Sequence, residues 1–297
     1  NWRSTGLPVA VIGPKMDLTY DAAFLGDESA VLADLASGKH KFAAKLKKAK
    51  RPMIIIGMGA LARADGAAVL GQARDIAETY GVVTKTWNGF NVLHSSASRV
   101  AGLDMGFVPE KSGLDVEAMY KAAEAGKLDL VWLLGADEAD LPRLKNAFIV
   151  YQGHHGDNGA HHADVVLPGA AYTEKDGIYL NTEGRVQYAN RAAFPPGEAR
   201  EDWAILRAFA GVMKINFGFD SLDELRELLF RAVPHFADRD MISPTKWVKF
   251  GSRAKVKPVK LTTAIDNFYM TCAISRASET MAECMRANGT EQAEAAE

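Results

Sequence analysis

The sequence has very little cysteine. Cys272 and Cys284 stand twelve positions apart near the C-terminus. An iron–sulfur cluster or a structural zinc site usually takes about four ligands at short local spacings such as C-x-x-C. Two widely set thiols do not supply such a site, so no metal site is expected, and both read as incidental free thiols of a reducing compartment. Long hydrophobic runs are missing as well. The longest, such as Met53 to Ile56 and Leu130 to Leu134, fall far short of the ~20 apolar residues of a membrane-spanning helix. No direct membrane insertion is therefore expected. No charge of one sign dominates: the formal net charge is -2, which gives nucleic acid no electrostatic footprint to bind. The chain opens Asn1-Trp2-Arg3 without an initiator Met. It reads as a cut or processed piece, so absent N-terminal signals carry no information. There is no internal repeat.

What is present is core-forming material. Hydrophobic residues make up 48% of 297, enough for one large domain or two ordinary ones at about 150 residues each. Pro8 to Gly13 reads as a short strand. Ser29 to Ala36 reads as a helix stopped by Gly38. Lys39 to Arg51 is basic, with Phe42, Leu46 and Ala49 at helical spacing, which predicts an amphipathic helix with a solvated lysine face. Pro52 to Gly57 is apolar throughout, the pattern of a parallel strand covered on both faces. A turn at Gly57-Met58-Gly59 leads to a helix over Asp65 to Tyr80 and a further strand over Val82 to Thr86. A second unit follows: a helix over Val116 to Ala125, a strand over Leu128 to Leu134, a turn at Leu141 to Asn146 and a strand over Ala147 to Tyr151. This alternation predicts an α/β fold with a doubly wound, mostly parallel sheet.

Beyond it, Glu201-Asp202 opens a helix carrying Trp203, Leu206, Phe209, Ala210 and Met213. Ser221 and Glu224 form a capping box, in which each side chain satisfies a free amide at the helix start. Residues 1–237 read as the α/β domain. Residues 238–297 read as a partly irregular extension, with Asn288 to Glu297 acidic and disordered. Phe250, Phe268, Tyr269 and Met270 are anchors that such a tail would offer to partners.

Three stretches are candidates for chemistry. Gly57-Met58-Gly59-Ala60-Leu61-Ala62 follows a strand and precedes a helix, as a phosphate-binding turn does. But Arg63 to Gly66 delays the helix, and no acidic residue closes the next strand where a dinucleotide site needs one. A plain tight turn is the better reading. The loop Gly153 to His162 holds His154, His155, Asp157, His161 and His162, which are metal-ligand types. Their spacing matches no standard site, and the glycines leave the loop poorly preorganised. Finally, Glu174, Gly177, Asn181, Glu183, Gly184, Arg185 and Gln187 crowd around a predicted hairpin of Ile178 to Leu180 with Val186 to Tyr188. Such density means either a held pterin-like ligand or a loop bonded to itself.

The run His162-Ala-Asp-Val-Val-Leu-Pro168, with Glu174, Gly177 and Asn181-Thr-Glu-Gly-Arg-Val-Gln187, resembles the signature of the molybdopterin oxidoreductase family. Within it, Trp87-Asn-Gly-Phe-Asn-Val-Leu-His94 and Gly169-Ala-Ala-Tyr-Thr-Glu174 are similar to the large iron–sulfur subunits of NADH:quinone oxidoreductase, respiratory complex I. So are Pro195-Pro-Gly-Glu-Ala-Arg-Glu-Asp-Trp-Ala-Ile-Leu206, Ile265-Asp-Asn-Phe-Tyr-Met270, Asp17-Leu-Thr-Tyr20 and Leu25-Gly-Asp27. His162 and Cys272 depart from the pattern, where Arg and Asp are expected.

The resemblance implies a scaffold part of a subunit that serves electron transfer from NADH to quinone, coupled to proton translocation. It implies iron–sulfur clusters in a missing N-terminal part and no cofactor or catalytic residue here. It leaves a residual family pocket at His155, Asp157, His162, Glu174, Asn181, Glu183 and Arg185. The implied partners are the other peripheral-arm subunits of the complex. The implied location is the cytoplasmic face of a bacterial inner membrane or the matrix face of the mitochondrial one. Two rivals remain: an active molybdopterin-dependent oxidoreductase domain using that pocket, and a stand-alone nucleotide-binding module using Gly57 to Ala62.

Overall fold

The computed structural model describes residues 6–265 and 267–294. They group into two compact units: Asn1–Arg99 with Pro244–Asp266, and Val100–Ser243 with Asn267–Glu297. The grouping follows contact rather than chain order. The stretch beyond Asp238, expected as one extension, is divided between the units. The fold is mixed α/β. Among the described residues, the parallel strands form three small sheets, and one antiparallel hairpin forms a fourth.

In the first unit, β1 (Ala10–Ile12) pairs in parallel with β2 (Ala23–Gly26). Helices α1 (Ala30–Ala36) and α2 (Ala43–Lys48) follow, then β3 (Ile54–Gly57), α3 (Gly66–Tyr80) and β4 (Phe90–Leu93). Strands β3 and β4 are parallel, with Ile54 opposite Phe90, so the expected strand–helix–strand unit is present. Helix α3 buries Ala68, Val69, Ala73, Ile76, Ala77 and Tyr80 and ends at Gly81, whose φ of 65° continues the chain left-handed. Val69, Ile76 and Tyr80 pack against Leu32, Leu35 and Ala43, and the Tyr80 hydroxyl donates to the Leu35 carbonyl at 2.6 Å. The lysines of α2 lie on the surface, as its pattern predicts.

Two expectations fail here. The second strand lies at Phe90–Leu93, not Val82 to Thr86. Val82 is fully buried, but the Thr84 amide donates to the Trp87 carbonyl and the Gly89 amide to that of Val82, folding the stretch into a tight loop. Strand β3 is also not covered on both faces. Ile56 is 7% exposed, whereas Ile55 is 60% exposed and Met53 and Leu93 about as much.

The second unit begins with α4 (Arg99–Asp104) and α5 (Val116–Glu124). Asp115 caps α5 by accepting the Ala118 amide at 2.8 Å. Strands β5 (Leu130–Leu134), β6 (Phe148–Gly153) and β7 (Val165–Pro168) form a parallel sheet in that order, with α6 (Asn158–His162) between the last two. Leu133, Ile149 and Tyr151 pack with Ala123, Leu141 and Leu144 on one face. Leu130, Leu134, Phe148 and Val166 remain exposed. The hairpin pairs β8 (Gly177–Leu180) with β9 (Val186–Ala189), and Leu180, Val186 and Phe236 form its core.

Helices α7 (Asp202–Val212) and α8 (Leu222–Ala232) follow; α8 starts at the Ser221–Glu224 capping box that the sequence predicts. Then come α9 (Ala273–Arg276) and α10 (Glu279–Glu294). The acidic end, expected to be disordered from Asn288, is helical to Glu294; residues 295–297 lie outside the described ones. Among the described residues, no helix is long and apolar enough to cross a membrane.

Candidate functional site

The carboxyl ends of parallel strands are where open α/β sheets bind ligands, because helix N-termini and loop amides gather there. In the second unit that edge consists of the loops after β5, β6 and β7. The loop after β6 is the histidine-rich one. Its glycines have a packing role. The Tyr151 side chain, 1% exposed, fills the space beneath the loop: a Cβ on Gly153 would lie 2.2 Å from the Tyr151 hydroxyl, and one on Gly159 2.5 Å from its ring. Burial pushes the Tyr151 phenol well above its ordinary range, and the neighbouring Asp137 carboxylate adds to this. Asp137 itself is 6% exposed.

His154 and His155 meet through their Nδ1 atoms at 2.6 Å, so at least one of them must be neutral to accept. Loss of water around His154 holds its ring below the usual imidazole range, and the His155 and Lys175 charges act in the same direction. His162 is exposed, and its Nδ1 lies 3.0 Å from the Asn158 carbonyl one helical turn back. Asp157 precedes α6 but does not cap it. Its Oδ2 instead accepts from Arg276 Nε at 2.5 Å, and the same guanidinium reaches Glu138 at 3.1 Å. Burial works against ionisation of Asp157, yet Arg276 and the Asn158 amide outweigh it and hold the carboxyl below its usual range. Among the described residues, no three His, Cys, Asp or Glu side chains are grouped to hold a metal ion.

The remaining candidates lie elsewhere and close on themselves. Glu174 accepts the Ala171 amide at 2.9 Å, in its own turn. Asn181 Oδ1 accepts the amides of Glu183 and Arg185 at 3.1 and 3.0 Å, shaping the hairpin tip. Arg185 donates to the Asp240 carbonyl at 2.7 Å and to Glu183 at 3.1 Å. These bonds lie within the polar stretch itself, except that Arg185 reaches Asp240. The seven pocket residues thus separate into the β6 loop, the Glu174 turn and the hairpin tip.

Sequence reasoning missed a network at the same edge. Gln152 on β6 is fully buried. Its amide donates to Asp202 Oδ1 at 2.9 Å, and its carbonyl accepts the Trp132 indole N–H at 3.2 Å. Lys175 pairs with the other Asp202 oxygen. These groups tie the sheet to the start of α7. A lone Gln inside an apolar strand was the available signal, because a buried amide must find partners.

The model of the molybdopterin oxidoreductase family matches residues 1–212. The chain belongs to that family. A second model, for the C-terminal part of the G subunit of NADH-ubiquinone oxidoreductase, matches residues 242–284. The G subunit of NADH-quinone oxidoreductase from Rickettsia felis is 44% identical over 285 residues, covering 96% of this chain and 41% of that protein. The protein of the same name from Rickettsia bellii is 43% identical over 285 residues, covering 96% and 40%. The NADH-ubiquinone oxidoreductase 75 kDa subunit of Reclinomonas americana is 40% identical over 276 residues, covering 92% and 39%. The chain spans about two fifths of the length of these curated relatives. As arranged here, the family residues do not fit a pterin cofactor: Tyr151 occupies the glycine-lined space, Arg276 engages Asp157, and the other polar groups do not converge with them.

Proposed function

We propose that this molybdopterin oxidoreductase family member is a scaffold part of the large iron–sulfur subunit of NADH:quinone oxidoreductase. Its role is to hold contact surfaces for neighbouring peripheral-arm subunits rather than to carry electrons. The iron–sulfur clusters belong to other parts of the parent subunit, and NADH oxidation, quinone reduction and proton translocation belong to the whole complex. This segment then sits on the cytoplasmic face of a bacterial inner membrane or the matrix face of the mitochondrial one. The names of the relatives support the assignment to that complex.

One observation carries the scaffold reading. The parallel sheets keep apolar side chains uncovered, with Ile55 at 60% and Leu134 at 49% exposed, while the polar family residues are engaged internally. Parallel sheets are ordinarily covered on both faces, and exposed apolar patches mark contact surfaces.

The test uses the assembled complex. Glu174→Gln, Asn181→Ala and Arg185→Ala are made in the parent subunit. Assembled complex is quantified on native gels, and NADH:quinone activity is divided by that amount. Activity per assembled complex should stay within about two-fold of wild type, with assembly reduced instead. Normal assembly with a large loss of specific activity contradicts the reading and favours a working ligand site.

A further inference from the structure

The segment after Pro244 reaches a carboxyl-edge loop in each unit. In the first, Trp247 and Phe250 pack around Phe90 with ring centroids 4.9 to 5.4 Å apart. Arg74 of α3, 7% exposed, donates to the Phe250 carbonyl. The segment then crosses α3 at contact distance: a Cβ on Gly251 would lie 2.4 Å from the Gly71 nitrogen, and one on Gly71 2.2 Å from the Ser252 carbonyl oxygen. The Ser252 amide donates to the Ala67 carbonyl at 2.7 Å. The Lys257 amide donates to Asp65 at 2.7 Å, and the Lys257 carbonyl accepts from the Ser29 hydroxyl at 2.6 Å. The Arg63 guanidinium first, and then the Lys257 amide, hold the Asp65 carboxyl below its usual range. The segment ends on the turn after β3, where a Cβ on Gly59 would lie 2.1 Å from the Thr262 carbonyl oxygen.

That contact explains the turn. Gly59 is needed so that a protein carbonyl can approach. The Thr262 carbonyl oxygen and the Ala264 nitrogen lie where a side chain on Gly59 would begin, so the chain itself occupies the close-approach side of this Gly-rich turn. In the second unit, α9 delivers Arg276 to Asp157 after β6 and to Glu138 after β5. There a guanidinium bridges two loop carboxylates.

We propose that the C-terminal segment is the resident intramolecular ligand of both carboxyl-edge sites, with residues 257–264 closing the turn after β3 and Arg276 closing the loops after β5 and β6. This rests on the scaffold reading in that a chain without a bound cofactor must satisfy these loops by other means. Two chemistries do so: carbonyl against glycine in one unit, guanidinium against carboxylates in the other. The apolar anchor Phe250, expected to await a partner, instead holds the segment to its own unit.

The experiment uses the full-length parent subunit, with hydrogen exchange read by mass spectrometry and carboxylates labelled by carbodiimide and glycine methyl ester. Arg276→Gln should raise exchange over residues 272–284 at least ten-fold and increase labelling of Asp157 and Glu138 by a similar factor. Exchange in β5 and β6 should not change. Gly59→Ala should do the same for residues 257–264 while leaving β3 protected. Wild-type exchange and labelling in Arg276→Gln overturns the proposal. If that variant is too unstable to purify, Arg276→Lys and Asp157→Asn are read instead: raised exchange over 272–284 supports the proposal, and wild-type exchange overturns it. The scaffold reading fails separately. An opened segment with activity per complex lost contradicts the scaffold and leaves the intramolecular ligand standing.

Discussion

The turn after β3 and the loop after β6 make an instructive pair. Both follow a parallel strand, both are glycine-rich, and both have the composition of a ligand site. In the first, glycine admits the Thr262 backbone. In the second, glycine admits the Tyr151 ring from the same strand, and the acid beside it takes Arg276. At Gly59, Gly153 and Gly159 the group that approaches closely is the chain itself.

The largest break in this comparison should come from Tyr151→Ala. Removing a fully buried ring costs about 3 to 5 kcal/mol, and urea melts of the purified subunit should show it as a lowered midpoint. A loss below about 1 kcal/mol would mean the loop does not rest on that ring. Next is a matched pair in the first unit. Gly59→Ala drives a Cβ into a carbonyl and should cost about 1 to 3 kcal/mol. Gly57 has nothing within 4 Å of an added Cβ, so Gly57→Ala should stay within about 0.5 kcal/mol. Equal effects would remove the case for a close approach at Gly59.

A third prediction sharpens the difference by pH. The folded-state pKa of Asp157 is depressed, so its contribution to stability is present above the unfolded carboxyl pKa and disappears as pH falls through the folded one. Asp157→Asn should therefore cost about 1 kcal/mol near neutrality and almost nothing once both forms are protonated, well below the usual carboxylate range. The same cost at both extremes would mean that Asp157 acts through packing and not charge. The smallest effect on stability should be Ile55→Ala. Ile55 is 60% exposed against 7% for Ile56, so Ile55→Ala should change unfolding by less than about 0.5 kcal/mol while Ile56→Ala costs about 2 to 5 kcal/mol. In the complex, Ile55→Ala should still reduce assembly if that face is a contact surface, which native gels would show.

Much of the architecture was legible where one local rule acted alone. Gly81 and the apolar spacing of α3 fixed its length, Ser221 and Glu224 marked the start of α8, and the apolar run Leu128 to Leu134, closed by Gly135, read as a strand whose observed extent is Leu130–Leu134. The Val82 to Thr86 strand was misread because only Val82 is buried there while Thr84 to Thr86 are exposed, and one contact of the loop is nonlocal: the Trp87 indole N–H donates to the Pro52 carbonyl at 2.9 Å. The candidate site was legible in composition but not in grouping. Asp157 and Asn181 look alike in the sequence. Only the fold separates a carboxylate paired with a residue 119 positions away from an amide closing its own turn. Gln152 and Arg276 were passed over because their partners, Asp202 and Glu138, carry no sequence pattern that links them.

The most direct test of the scaffold account is the molybdenum and pterin content of the purified full-length parent subunit, measured by elemental analysis and by fluorescence after oxidative release. The account predicts less than about one tenth of a molar equivalent of either. Stoichiometric molybdenum with matching pterin, lost on changing Asp157 or Glu174, would contradict it.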